Sequence, residues 1–164
     1  MAGKSLIYPL VITVLIIAVS AVSLCVNPGP GTTSPGGGFY IKPSEYALPP
    51  GGMIAVVLTV ENNDPANRSL YYNFNFEAIQ TNTGKPPGEV SEWVSFNEDY
   101  MHLTPNEVGF KDSVLSVPSD APGGEYVFHA YACYAETPEG LGECGKNSGN
   151  LWADPLKLTI SVTD

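Results

Sequence analysis

The chain predicts an all-β domain, an antiparallel β-sandwich of about seven strands, preceded by one N-terminal transmembrane helix. Three observations predict it. Glycine and proline, 17 and 15 of 164 residues, make up about a fifth of the chain. An average chain has roughly 12%, so turns between strands are favoured over a helical bundle. Several runs after residue 50 alternate apolar and polar residues with a period of two, as half-buried strands do. Residues 6–26 carry no charge at all.

Residues 6–26 read LIYPLVITVLIIAVSAVSLCV. As a helix rising 1.5 Å per residue they would span about 30 Å, the hydrocarbon thickness of a bilayer. Pro9 falls in the first turns, where a missing N–H is tolerated best. Lys4 precedes the run, and no Lys or Arg follows before Lys42. That asymmetry places residues 1–5 in the cytoplasm and the rest outside. The expectation is a single-pass protein of the cell membrane, in contact with membrane lipid through residues 6–26. Three readings of the segment stay open. It is an uncleaved signal anchor, a signal cut near Ala21-Val22-Ser23 or lipidated at Cys25, or a pilin-type helix. Cleaved signals usually have a shorter apolar region of about 7–15 residues, and Leu24 stands where a lipidation signal wants a small side chain.

Residues 27–38 read NPGPGTTSPGGG. Such a stretch cannot bury surface or propagate a helix, and is expected as a flexible or partly extended linker. All seventeen acids and six of the seven bases follow it, leaving the outer domain, residues 39–164, at −11. A chain so acidic lacks the basic face that nucleic acid requires. An anionic lipid surface is disfavoured for the same reason.

Within that domain residues 52–62 alternate, with Val56, Leu58 and Val60 on one face. Residues 69–78 set Leu70, Tyr72, Phe74 and Phe76 against Tyr71, Asn73 and Asn75. Residues 110–117 stop at Pro118, residues 126–134 read YVFHAYACY, and residues 156–162 alternate strictly. Turn-forming clusters separate the runs at residues 48–52, 83–88 and 120–124. No stretch beyond the linker has helical periodicity. Some 125 residues suffice to bury about two thirds of their surface in one core.

Four elements follow one another in a familiar order. Leu48-Pro49-Pro50-Gly51 precedes the strand through Val56, Leu58 and Val60. Trp93 and Phe96 occupy a short middle strand. Leu103-Thr104-Pro105-Asn106-Glu107 reads as the turn before the next strand. Residues 117–126, VPSDAPGGEY, read as a proline corner. Through these the domain resembles the immunoglobulin-like modules of prokaryotic, especially archaeal, surface and secreted proteins, of the CARDB-like and α-galactosidase-associated kinds. The resemblance covers roughly residues 39–163. It implies an immunoglobulin-like fold and a binding, spacing or assembly role, with no shared catalytic residues. It also makes Tyr126 the structural corner, a tyrosine whose hydroxyl bonds nearby backbone. The long hairpin after Tyr134, flanked by two cysteines, departs from the pattern. The start Gly3-Lys4-Ser5-Leu6 before the apolar run is similar to archaeal type IV pilin signals. That weaker resemblance implies a filament subunit, helix in the core and sandwich outside; the glycine-rich linker speaks against it.

Cys133 and Cys144 flank a ten-residue, turn-like stretch. Outside a cell they are expected to form a disulfide, worth about 3 kcal/mol in the chain-entropy account. Cys25 is the odd one. Zinc needs more ligands at closer spacing than these cysteines give. His102 and His129 lack the Cys-His-Met run of a copper site. Neither histidine has a nucleophile beside it. Glu98-Asp99 and Glu136, Glu139 and Glu143 read as solvated surface acids rather than glycosidase pairs or a calcium loop. No catalytic residue, cofactor or metal is therefore expected. Asn67-Arg68-Ser69 is a glycosylation sequon. Tyr71, Tyr131 and Tyr134 form either an exposed strip for sugars or proteins, or cross-strand packing. The expected function is non-catalytic: a membrane-anchored surface protein presenting its domain to an extracellular protein or glycan, or to itself through edge strands. A pilin-like subunit and a carbohydrate-binding accessory module are the alternatives.

Overall fold

The computed structural model describes residues 32–33, 38–81, 84–97 and 100–163. The expected membrane segment 6–26, Cys25, most of the linker 27–38, and Glu98 and Asp99 lie outside the described residues. No helix among the described residues is long and apolar enough to cross a membrane.

The described chain is all-β, in two five-stranded sheets around one core. The first sheet runs in the order β1 (Thr32–Thr33), β2 (Gly38–Ile41), β4 (Met53–Glu61), β8 (Val108–Ser116), β6 (Val94–Phe96). The second runs β3 (Glu45–Leu48), β10 (Leu156–Val162), β9 (Gly124–Ala135), β5 (Leu70–Thr81), β7 (Met101–Leu103). The alternation of the long strands decides which residues meet between the sheets. Val56, Leu58 and Val60 of β4 are fully buried, opposite Leu70 and Tyr72 of β5, Phe128 and Ala130 of β9, and Leu158 and Ile160 of β10.

The structure departs from the sequence expectation in five ways. It has more strand segments than seven, because β1, β2, β3 and β7 are only two to four residues long. Runs that short show no usable period. One pair is not antiparallel: the chain crosses between sheets at Lys42-Pro43, a cis peptide, and β3 then lies parallel to β10. A five-residue helix, α1 (Pro87–Ser91), stands in the predicted 83–88 turn. It is too short for a 3.6 period to register, yet Val90 is buried and the Ala78 N–H donates to Ser91 Oγ at 2.8 Å. Trp93 sits in the turn after α1 rather than in a strand, its ring 4.7 Å from that of Tyr126. The first sheet also begins within the expected linker, since Gly38 opens β2 and Thr32–Thr33 pair with Tyr40 and Ile41.

One strand defies the polarity of its own sequence. In β8 Phe110 is 68% exposed while Lys111 is 4% exposed. Gly109 explains the choice of face. A Cβ there would lie 2.4 Å from Met101 Sδ and 2.6 Å from Leu103 Cδ2. Glycine must therefore face inward, and alternation carries Lys111, Ser113 and Leu115 with it. The Lys111 ammonium sits 6.0 Å from the centre of the Phe96 ring. Ser113 Oγ donates to the Val56 carbonyl at 2.8 Å.

At the end of β4, Asn62 ties two connections together. It is fully buried. Its Nδ2 donates to the carbonyls of Arg68 (2.8 Å), Leu103 (3.1 Å) and Thr104 (3.1 Å). Its Oδ1 accepts from the Asp64 N–H at 3.3 Å. Its backbone pairs with Asn106 and Glu107. Asn106 takes a φ of 63° in that turn, a conformation Asn tolerates better than most residues. Leaving buried carbonyls without a donor costs about 1–3 kcal/mol each. Asn62→Ala is expected to cost about 3 kcal/mol, read as a lower urea midpoint with an unchanged slope. Asn62→Asp should cost no less, because a carboxylate has no N–H to give.

Candidate functional site

The connection from β9 to β10, residues 136–155, folds back over the outer face of the second sheet. Local sequence explains why. With Phe128, Ala130 and Ala132 turned into the core, Tyr131 and Cys133 point outward, yet both are buried. Cys133 is bonded to Cys144 in a disulfide. With Tyr131 and Leu151 these cysteines make a small second core outside the sheet.

The outward row of β5 grips the same connection. Asn73 Nδ2 donates to the Gly142 carbonyl at 2.8 Å, and Asn75 Nδ2 to the Cys144 carbonyl at 2.9 Å. Glu77 Oε1 accepts from the Lys146 N–H at 3.3 Å. Both partners advance by two residues at each step, so the segment 142–146 runs parallel to β5, held by side chains. Gly145 permits this approach, since a Cβ there would lie 2.3 Å from Glu77 Oε1. Ser148 Oγ closes the tip by accepting from the Gly145 N–H and donating to the Glu143 carbonyl, each at 2.9 Å. The return is fixed by Trp152, whose backbone N–H donates to the Ala132 carbonyl at 2.8 Å. Its ring meets Tyr72 and Tyr134 edge-on. Between this tip and β5 lies an open groove of about 550 Å³, lined by Phe74, Asn75, Glu77 and residues 143–148. Burial, and then the neighbouring Glu77 carboxylate, push the Tyr131 phenol above its ordinary range.

Asn67 is exposed, at φ 55°, in a loop that Arg68 braces. Arg68 Nε and Nη2 each donate to Asp64 at 2.9 Å, and Nη1 donates to Glu136. Hydrogen bonding from the Arg68 guanidinium holds the Asp64 carboxyl below the usual carboxylate range. Bonds from the Thr104 N–H and hydroxyl do the same for Glu107.

The other residues singled out in the sequence are scattered. Tyr126 is fully buried, and its hydroxyl donates to the Pro122 carbonyl at 2.7 Å. The three tyrosines form no common strip. Tyr71 stacks on His102 at 4.5 Å and meets Tyr100 edge-on. Tyr131 is covered by the disulfide connection, and Tyr134, pairing with Tyr72, packs on Trp152. His129 is half-buried beside Tyr131. Glu136 is engaged by Arg68, while Glu139 and Glu143 are exposed. Among the described residues no three His, Cys, Asp or Glu side chains gather as a metal site. The gripping residues Asn73, Asn75 and Glu77 were missed. Their only signal was a polar residue at every second position of an aromatic strand.

No family model matches the chain, and no curated protein sequence matches it. Among solved structures it is similar to part of a family 123 glycoside hydrolase from Clostridium perfringens, studied for glycolipid glycan hydrolysis. The TM-score is 0.53 at 9% identity, over 73% of this chain and 23% of that one. The chain thus spans about a quarter of that enzyme, and the likeness is one of fold alone. Looser likenesses are a PapD-like domain of human CEP192 (TM-score 0.49, 11% identity, 83% and 92% covered) and the C. elegans MSP family member WR4 (0.43, 15%, 77% and 99%).

Two outcomes follow from this geometry. Gly145→Ala should displace the Glu77 carboxylate and free the Lys146 N–H. Hydrogen exchange will then speed up at Lys146 and through the tip, with little change in the urea midpoint. The second concerns acid. Asp64 and Glu107 titrate lower in the folded chain than in the unfolded one, where Asp and Glu lie at about 3.9 and 4.3. Their contribution is therefore complete above those values and is lost as pH falls through the folded ones. Thermal melts from about pH 6 to about pH 2 should decline on the acid side, and Asp64→Asn with Glu107→Gln should flatten that decline.

Proposed function

We propose that the chain is a non-catalytic cell-surface protein. Residues 6–26 anchor it in the membrane as a single span, residues 27–31, ahead of β1, give reach, and an immunoglobulin-like sandwich stands outside the cell to bind a protein or glycan. The observation that carries this reading is the Cys133–Cys144 disulfide. Disulfides persist in oxidising compartments, and this one fixes a connection over an outer sheet face as a binding surface would need. The uncharged run of residues 6–26, after Lys4, supports the anchor. In such surroundings Asn67 is a glycan acceptor, since it and Ser69 are both exposed.

Fractionation of native cells should find the intact chain in the membrane, with its domain digested by protease added outside. N-terminal sequencing should return the unprocessed start. A start at Ser5 or Leu6 would replace the anchor by a pilin-like subunit, and an intact chain in the cytosol would refute both. Asn67→Gln should remove a discrete mass increment from the mature protein.

A further inference from the structure

We infer that the outer face of the first sheet lies on the membrane that holds residues 6–26, against zwitterionic phospholipid headgroups. The inference rests on the anchor reading above and adds how the domain sits. The two sheets differ on their outer sides. The second carries the connection 136–155, with Glu139, Glu143, Lys146 and Asn147 exposed on it. The first has no such cover among the described residues. With Val56, Leu58 and Val60 turned into the core, the alternate residues of β4 and β8 point outward. There Met53 is 67% exposed, Val108 42%, and Phe110 as much as Met53. Register sets Phe110 level with Thr59 and Tyr40 on one row of the face, with Val57 and Ala55 along the next rows. Exposed apolar residues gathered on one face mark an interaction site.

The chain itself sets what reaches that face. Only residues 27–31 separate the uncharged run from Thr32, which opens β1 at the edge of this same sheet. Five residues extend to at most about 18 Å, and the headgroup layer takes up about 6 Å of that. A domain of this size is roughly 35 Å across. The β1 edge is therefore held beside the headgroups. Of the two broad faces able to settle there, the connection side is polar and acidic, and the first-sheet side is apolar. A ring with a polar end, such as Tyr40, suits the membrane interface. The charged residues on the outward rows of this face, among the described residues, are Glu61 and Asp112. Both repel anionic lipid and a second copy of this face, on domains that carry −11 each. Zwitterionic headgroups place an ammonium group outermost, where it meets the carboxylates. With the first sheet down, the disulfide-held tip points away from the membrane, toward whatever the domain meets.

The test places the full chain, carrying Cys25→Ser, at one copy per nanodisc of phosphatidylcholine. A nitrobenzoxadiazole label is attached either at Ser95→Cys, exposed on the outer side of the first sheet, or at Asn147→Cys, exposed on the tip. Nitroxide on the lipid headgroup is expected to quench the label at position 95 severalfold more than at 147, and water-borne iodide to show the reverse order. Phe110→Glu, at an exposed position, should bring lipid quenching at 95 down to the level at 147 with unchanged melting. Equal quenching at the two positions, or a difference indifferent to Phe110→Glu, overturns the inference. So does shielding of 95 from iodide that needs two copies per disc and comes without lipid quenching, since a second copy is then the occupant. A chain that leaves the discs in alkaline carbonate refutes the anchor and this inference with it. A retained chain with equal quenching refutes this inference alone.

Discussion

Every carbonyl and N–H that leaves a sheet and stays out of water must find another partner. In this domain that need is met at the decisive places by amide side chains standing in for absent strands. Asn62 serves three carbonyls at the end of β4. Asn73 and Asn75 serve two in the connection over the second sheet. Asn150 Nδ2 donates to the Tyr134 carbonyl where that connection returns, at 2.7 Å. The apolar core would pack two sheets without these residues. It would not decide where the long connections lie.

The long strands were legible because burial imposes a period of two on them. Val56, Leu58 and Val60 announce β4, and 156–162 announces β10, within a residue of the observed ends. The short elements were not legible, for a physical reason. Strands β2, β3 and β7 gain their place from neighbours already in the sheet, and α1 from the burial of Val90 and the hydroxyl of Ser91. Lys111 shows a deeper limit. Hydropathy alone would turn Phe110 in and Lys111 out, but the crowding at Gly109 outranks it. That crowding belongs to Met101 and Leu103, which reach the site only through the fold.

The candidate site was half legible. The cysteines, the sequon and Tyr126 stand out by residue type and local spacing. The residues that shape the groove do not. Asn73, Asn75 and Glu77 lie 69 positions before the backbone groups they hold. Only the folded sheet brings those stretches within reach. An acidic, turn-rich tip such as 136–148 reads in isolation as solvated loop.

The grip on that tip takes hold of main-chain atoms: the carbonyls of Gly142 and Cys144 and the N–H of Lys146. A mount of this kind is indifferent to most of the side chains it carries. Gly145 is constrained by close approach and Ser148 by its two bonds. Positions 143, 146 and 147 are free to be rewritten while the clasp, and the stability of the sandwich beneath it, stay as they are. Related domains that share the clasp could therefore differ most at these three positions, each lineage fitting its own surface to what it meets.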